Sequence, residues 1–91
     1  MFEVIIRKEV VKDAKKLLSS SHRKKLARFI EVLKDNPVPS RKFDIKSIKG
    51  EKRKNVRRFR LRLGSYRIFY DVYWKEKIVV VLKIEPRERA Y

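Results

Sequence analysis

Four arginines, three of them on a two-residue beat, are the side chains here best suited to chemistry. In RRFRLRLGSYRIFYDVYW, residues 57–74, Arg58, Arg60 and Arg62 alternate with Phe59 and Leu61, and Arg67 follows a Gly64-Ser65 pair. A guanidinium is a planar donor fork that fits phosphate oxygens and stacks on aromatic faces. Several in one place can stabilise the charge of a phosphorane, as in cleavage of RNA through its own 2′-OH. Such cleavage also needs an in-line hydroxyl and a way to move protons. Arginine holds its proton at neutral pH and is a poor base. His22, the sole histidine, stands at the start of a basic helical stretch and reads as a surface or capping residue. The residues alone leave the proton carrier open.

A hairpin would position these arginines. Glycine at the first position of a two-residue loop suits a type II′ turn. Leu63 then pairs with Tyr66, Leu61 with Ile68 and Phe59 with Tyr70, on one apolar face. The other face carries Arg62 opposite Arg67, Arg60 opposite Phe69, and Arg58 opposite Asp71 as an ion pair. No acid is expected opposite Arg67. Like charges facing each other on a sheet are destabilising, so folding alone gives no reason for the Arg62–Arg67 opposition. Phosphate binding does, with Arg58 as a further RNA contact and Phe69 as a base-stacking surface. The competing reading is a solvated outer face whose arginine stems cover apolar surface.

Around the hairpin, FEVIIR (2–7) reads as a strand and IVVVLKI (78–84) as the last strand, stopped by Pro86. Between them, Val10, Val11, Ala14, Leu17 and Leu18 make one helical face, and Leu26, Phe29, Ile30 and Leu33 another. A serine of the Ser19–Ser21 run caps the second helix, and NPVP (36–39) ends it. Residues 40–56 read as a basic loop, with Lys46 and Lys49 as RNA contacts. The predicted fold is α+β in the order βααβββ: a two-helix hairpin packed on one face of a four-stranded, mostly antiparallel sheet, in a single domain spanning 1–91.

Charge narrows the partner class. The chain has 27 Lys+Arg against 11 Asp+Glu, a formal net charge of +16. Residues 41–62 hold 11 of those cations and two acids, more than half of the excess. Polyanions are the expected partners, nucleic acid first. No apolar run approaches the length of a membrane span, and MFEVIIRKEVV lacks a signal-peptide layout. A cytoplasmic protein with no membrane partner is expected. Without cysteine there are no disulfides or thiolate metal sites. Glu85 and Glu88 make no ligand set, so no metal is predicted, nor any small-molecule cofactor.

FRLRLGSYRIFYDV, followed by a β-rich run and PRERAY, resembles the RelE toxins of the RelE/ParE superfamily, archaeal members most of all. The element order, the KSIKG segment before the hairpin and the YR pair after the glycine fit as well. The resemblance covers nearly the whole chain. It implies a type II toxin: a ribosome-dependent, metal-independent endoribonuclease that cleaves mRNA in the ribosomal A site, so inhibits translation, and is held inactive by an acidic antitoxin. The implied catalytic residues are Arg60, Arg62 and Arg67 on the hairpin, with Arg87 and Tyr91 in the tail; Arg89 is an expected RNA contact and a second candidate for the tail arginine. Several bacterial members carry lysines where this chain has Arg60 and Arg62. Two alternatives stand: a non-catalytic basic RNA-binding module, and a superfamily toxin aimed at another target such as DNA gyrase.

Overall fold

The computed structural model describes residues 1–86, with the backbone alone for 49–53. Its elements are β1 (Glu3–Ile6), α1 (Lys8–Leu17), α2 (Ser20–Leu33), β2 (Ile45–Arg53), β3 (Val56–Leu63), β4 (Tyr66–Tyr73) and β5 (Ile78–Pro86). The strands form one sheet in the order β1-β5-β4-β3-β2. Every neighbouring pair is antiparallel except β1–β5, which is parallel. The α1–α2 hairpin is the crossover leading away from β1, and it covers one face of the sheet.

The α+β class and the helical hairpin are as expected, but the sheet has five strands, not four. The segment read as a basic loop holds β2. Its apolar residues Ile45 and Ile48 are three apart, so they break the two-residue alternation that marks a strand. In the sheet, Ile45 lies opposite inward-facing Leu61, whereas Ile48 lies opposite Arg58 on the outer face. Regular pairing stops at Ile48 and resumes only at Arg53–Val56, across an irregularity.

The core lies between the helices and the inner sheet face. Phe59, Leu61, Leu63, Ile68, Tyr70, Val72, Val79, Val81 and Ile84 come from the sheet, and Val10, Leu18, Leu26, Phe29 and Leu33 from the helices and their junction. The alternation of β3 and β4 is thus obeyed. The α1 stripe is only partly buried, since Val11 remains 45% exposed. Ser19 caps α2 by accepting a hydrogen bond from the His22 amide at 3.2 Å. After α2, the Pro37 carbonyl accepts from the Tyr70 hydroxyl at 3.0 Å. That bond satisfies a phenol with no exposed surface; burial pushes Tyr70 above its ordinary ionisation range. Tyr70 is therefore a core donor, not a catalytic base. Among the described residues, no helix is long and apolar enough to cross a membrane.

Candidate nucleic-acid interface

The face of the sheet away from the helices carries the cations. Strand register sets three rows across it. One runs Lys46–Arg60–Phe69–Lys83, one Arg62–Arg67–Glu85, and one Ile48–Arg58–Asp71–Val80. Neighbouring strands lie about 4.8 Å apart, so the first row spans about 14 Å. The register over β3 and β4 is the one the two-residue loop implies, down to Arg62 opposite Arg67.

The tip is built for this register. Gly64 takes φ +59°, while Ser65 keeps a negative φ, the pattern of a type II′ turn. On the β2 side, the Arg62 amide donates to the Asp44 carbonyl at 2.9 Å. On the helix side, the imidazole of His22 lies against Gly64. A Cβ on that glycine would sit 2.5 Å from Cε1 and 2.8 Å from Nε2 of His22. His22 is thus more than a surface or capping residue. It joins the capped start of α2 to the turn between Arg62 and Arg67.

The cations differ in how they are held. Asp71, 7% exposed, is held by Arg58 through paired contacts, Nε to Oδ1 at 2.7 Å and Nη2 to Oδ2 at 3.1 Å. This is the expected ion pair, and it balances the acid's burial. Arg62 is exposed. Arg60 is only 8% exposed, yet has no carboxylate partner among the described residues. A nearly buried cation without an anion is costly to fold.

The structure corrects two details around Phe69 and Arg67. Glu85 of β5 stands opposite Arg67, where no acid was expected. Glu85 also pairs with Lys83, Nζ to Oε1 at 2.6 Å. The Lys83 ammonium lies 5.2 Å from the centroid of the Phe69 ring, so that ring is already engaged by a cation. Sequence reasoning missed both β5 residues. From inward Val79 and Val81, strict alternation would send residues 83 and 85 inward too. A register shift between Phe69 and Tyr70, with Leu82 as the extra residue on β5, turns Lys83 and Glu85 outward and Ile84 into the core.

Of the expected site residues, Lys46, Arg58, Arg60, Arg62, Arg67 and Phe69 share this outer face. Lys49 is in β2, where only its backbone is described. Arg87, Arg89 and Tyr91 lie outside the described residues. Among the described residues, no three His, Cys, Asp or Glu side chains are grouped to hold a metal ion.

Comparison with known proteins agrees with this architecture. Residues 4–91 match the family of ParE toxins of the type II toxin–antitoxin system parDE. The protein RelE1 of Methanocaldococcus jannaschii is 44% identical over 90 residues, spanning 99% of this chain and 94% of its own. A chain of the archaeal RelE–RelB complex from Pyrococcus horikoshii OT3 superposes with a TM-score of 0.84 at 38% identity, covering 97% of each chain. A chain of the RelB–RelE antitoxin–toxin complex from Methanococcus jannaschii gives 0.73 at 29% identity, covering 96% of this chain and 94% of that one. The chain thus belongs to the ParE toxin family, within the RelE/ParE superfamily of type II toxins.

Proposed function

We propose that the chain is a ribosome-dependent endoribonuclease, cleaving mRNA in the ribosomal A site and so inhibiting translation in the cytoplasm. Arg60 carries the reading: a nearly buried cation with no carboxylate partner among the described residues, flanked by Lys46 and by Arg62 opposite Arg67. A bound phosphate would supply the anion that no described residue gives Arg60. The same guanidinium groups would stabilise the phosphorane more strongly than the ground state as its charge develops. The ribosome would hold the mRNA so that the 2′-OH stands in line with the leaving oxygen. Arg87, or Arg89, would add charge stabilisation, and Tyr91 would transfer a proton or stack on a base. Primer extension on mRNA with programmed ribosomes tests this. Cleavage should appear with ribosomes and be slow on naked RNA. Full-rate cleavage of naked RNA, or none on ribosomes, refutes it.

The proposed protein partner is an acidic antitoxin. The related archaeal structures are complexes of RelE with RelB. Here an apolar groove between α1 and α2, with Val11, Ala14, Ala27 and Ile30 in its lining, is flanked by Lys15 and Arg23. Its shape and charge suit an amphipathic helix with acidic flanks. Such a partner should co-purify in fixed stoichiometry at moderate salt and restore growth.

A further inference from the structure

The row of residues that begins at Lys46 and Arg60 does not end on the hairpin. It continues through Phe69 to Lys83 on β5. Among the described residues the Lys83 ammonium neighbours the Glu85 carboxylate at 2.6 Å and the Phe69 ring, 5.2 Å to its centroid. A carboxylate is the internal analogue of a phosphate oxygen, and an aromatic face held by a cation is one on which a base can stack. We propose that Lys83 and Phe69 form a nucleotide subsite for single-stranded RNA, continuous with the arginine row, and that Glu85 occupies its cation until RNA arrives. The proposal rests on the reading that this face takes RNA.

The exchange requires little rearrangement. The Lys83 side chain is 56% exposed, so its head can leave Glu85 without disturbing the core. Exposed ion pairs contribute little to stability, and an incoming phosphate offers Lys83 an equivalent partner. Base stacking on Phe69 then replaces the cation–π contact. Glu85 makes the subsite selective, because it repels any anion that fails to draw Lys83 away.

The sign of two substitutions separates this from a merely structural ion pair. Lys83→Gln and Glu85→Gln remove the same bridge, so a structural role lowers stability in both, and more in Glu85→Gln because Glu85 also stands opposite Arg67. The subsite moves RNA binding in opposite directions. Fluorescence anisotropy with a labelled single-stranded RNA should show Lys83→Gln binding about two- to fivefold more weakly and Glu85→Gln about two- to fivefold more tightly. The salt slope should become shallower by about 0.7 in Lys83→Gln, one phosphate contact fewer. Phe69→Leu should weaken binding by about fivefold or more without changing that slope. Lys34→Gln and Glu31→Gln control for net charge, since they break an exposed pair on α2 with a 2.8 Å contact. They should move affinity far less. Equal shifts in the control pair, or same-sign or absent shifts at Lys83 and Glu85, would overturn the subsite while leaving the nuclease reading in place. A parent chain that binds no RNA would overturn both.

Discussion

Gly64→Ala tests whether the arginine pair is positioned by the contact between α2 and the hairpin tip. Two separable penalties follow from the geometry. Gly64 has φ +59°, a conformation costing an L-residue with a Cβ about 1–2 kcal/mol. The new methyl would also stand 2.5 Å from Cε1 of His22, the tip of a half-buried ring, and turning that ring off its rotamer costs about 1 kcal/mol. Together they predict a loss of about 2–3 kcal/mol. At about 4–8 °C per kcal/mol for a chain of this size, even the lower end reduces Tm by about 10 °C. The steric part vanishes if the ring is absent; the backbone part does not. In a His22→Ala background, then, Gly64→Ala should cost about 1 kcal/mol less than in the parent, and about 1–2 kcal/mol should remain. Urea unfolding of the parent, both single variants and the double variant measures this, provided the m-values agree. Strict additivity would refute the contact between His22 and the turn. A double variant as stable as His22→Ala alone would refute the left-handed glycine.

Four more outcomes are expected. Arg60→Met keeps a long stem and removes a nearly buried cation, so it should raise stability by about 1 kcal/mol or more in urea unfolding while abolishing cleavage. Arg62→Ala relieves the opposition to Arg67 at an exposed position; Tm should hold or rise while ribosome-dependent cleavage falls about 10²-fold. Asp71→Asn removes the charge of the carboxylate that Arg58 holds by two contacts, so thermal unfolding should show a loss of about 1–3 kcal/mol. Tyr70→Phe addresses pH: burial raises the folded-state value above the ordinary 10.0, so the neutral phenol's stabilisation is full below pH 10 and is lost as pH rises beyond it. The parent's stability advantage over Tyr70→Phe should therefore be constant below pH 10 and shrink above it, as read by urea unfolding across that range.

Most of the hairpin was legible because one rule governs it. Side chains alternate along a strand, so Phe59, Leu61 and Leu63 could be assigned to the core and Arg58, Arg60 and Arg62 to the far face without knowing what covers either. A glycine in a two-residue gap then set the cross-strand register. The rule fails wherever the alternation itself breaks. In β2, Ile45 and Ile48 are out of phase, and the segment looks like a loop with two anchors. In β5, a single extra residue reverses the faces after Val81; polar Lys83 and Glu85 around apolar Ile84 mark the new phase, but the unbroken apolar run 78–82 sets no earlier phase to compare it with. The contact between His22 and Gly64 was illegible for another reason. It joins residues 42 positions apart in sequence, through a helix start whose angle to the sheet depends on the whole core.

The two faces of the sheet make opposite demands on the same strands. Each inward Phe, Leu or Ile of β3 and β4 strengthens the domain, while each outward arginine adds to a chain already at +16. Self-repulsion of that size weakens a compact state, and Arg60 adds the expense of a nearly buried charge. The core must therefore be strong enough to hold the cationic row together before any anion arrives. Under the proposed function this is pre-organisation: the cations are already in place when the phosphorane charge develops, and none need be gathered at that moment. It also implies competition. An acidic partner that extended from the α1–α2 groove around to Arg60, Arg62 and Arg67 would relieve the same repulsion that RNA relieves, stabilising the fold and blocking the site in one step. Its inhibition would need no distortion of the hairpin, only the prior occupation of guanidinium groups that the sheet keeps turned outward.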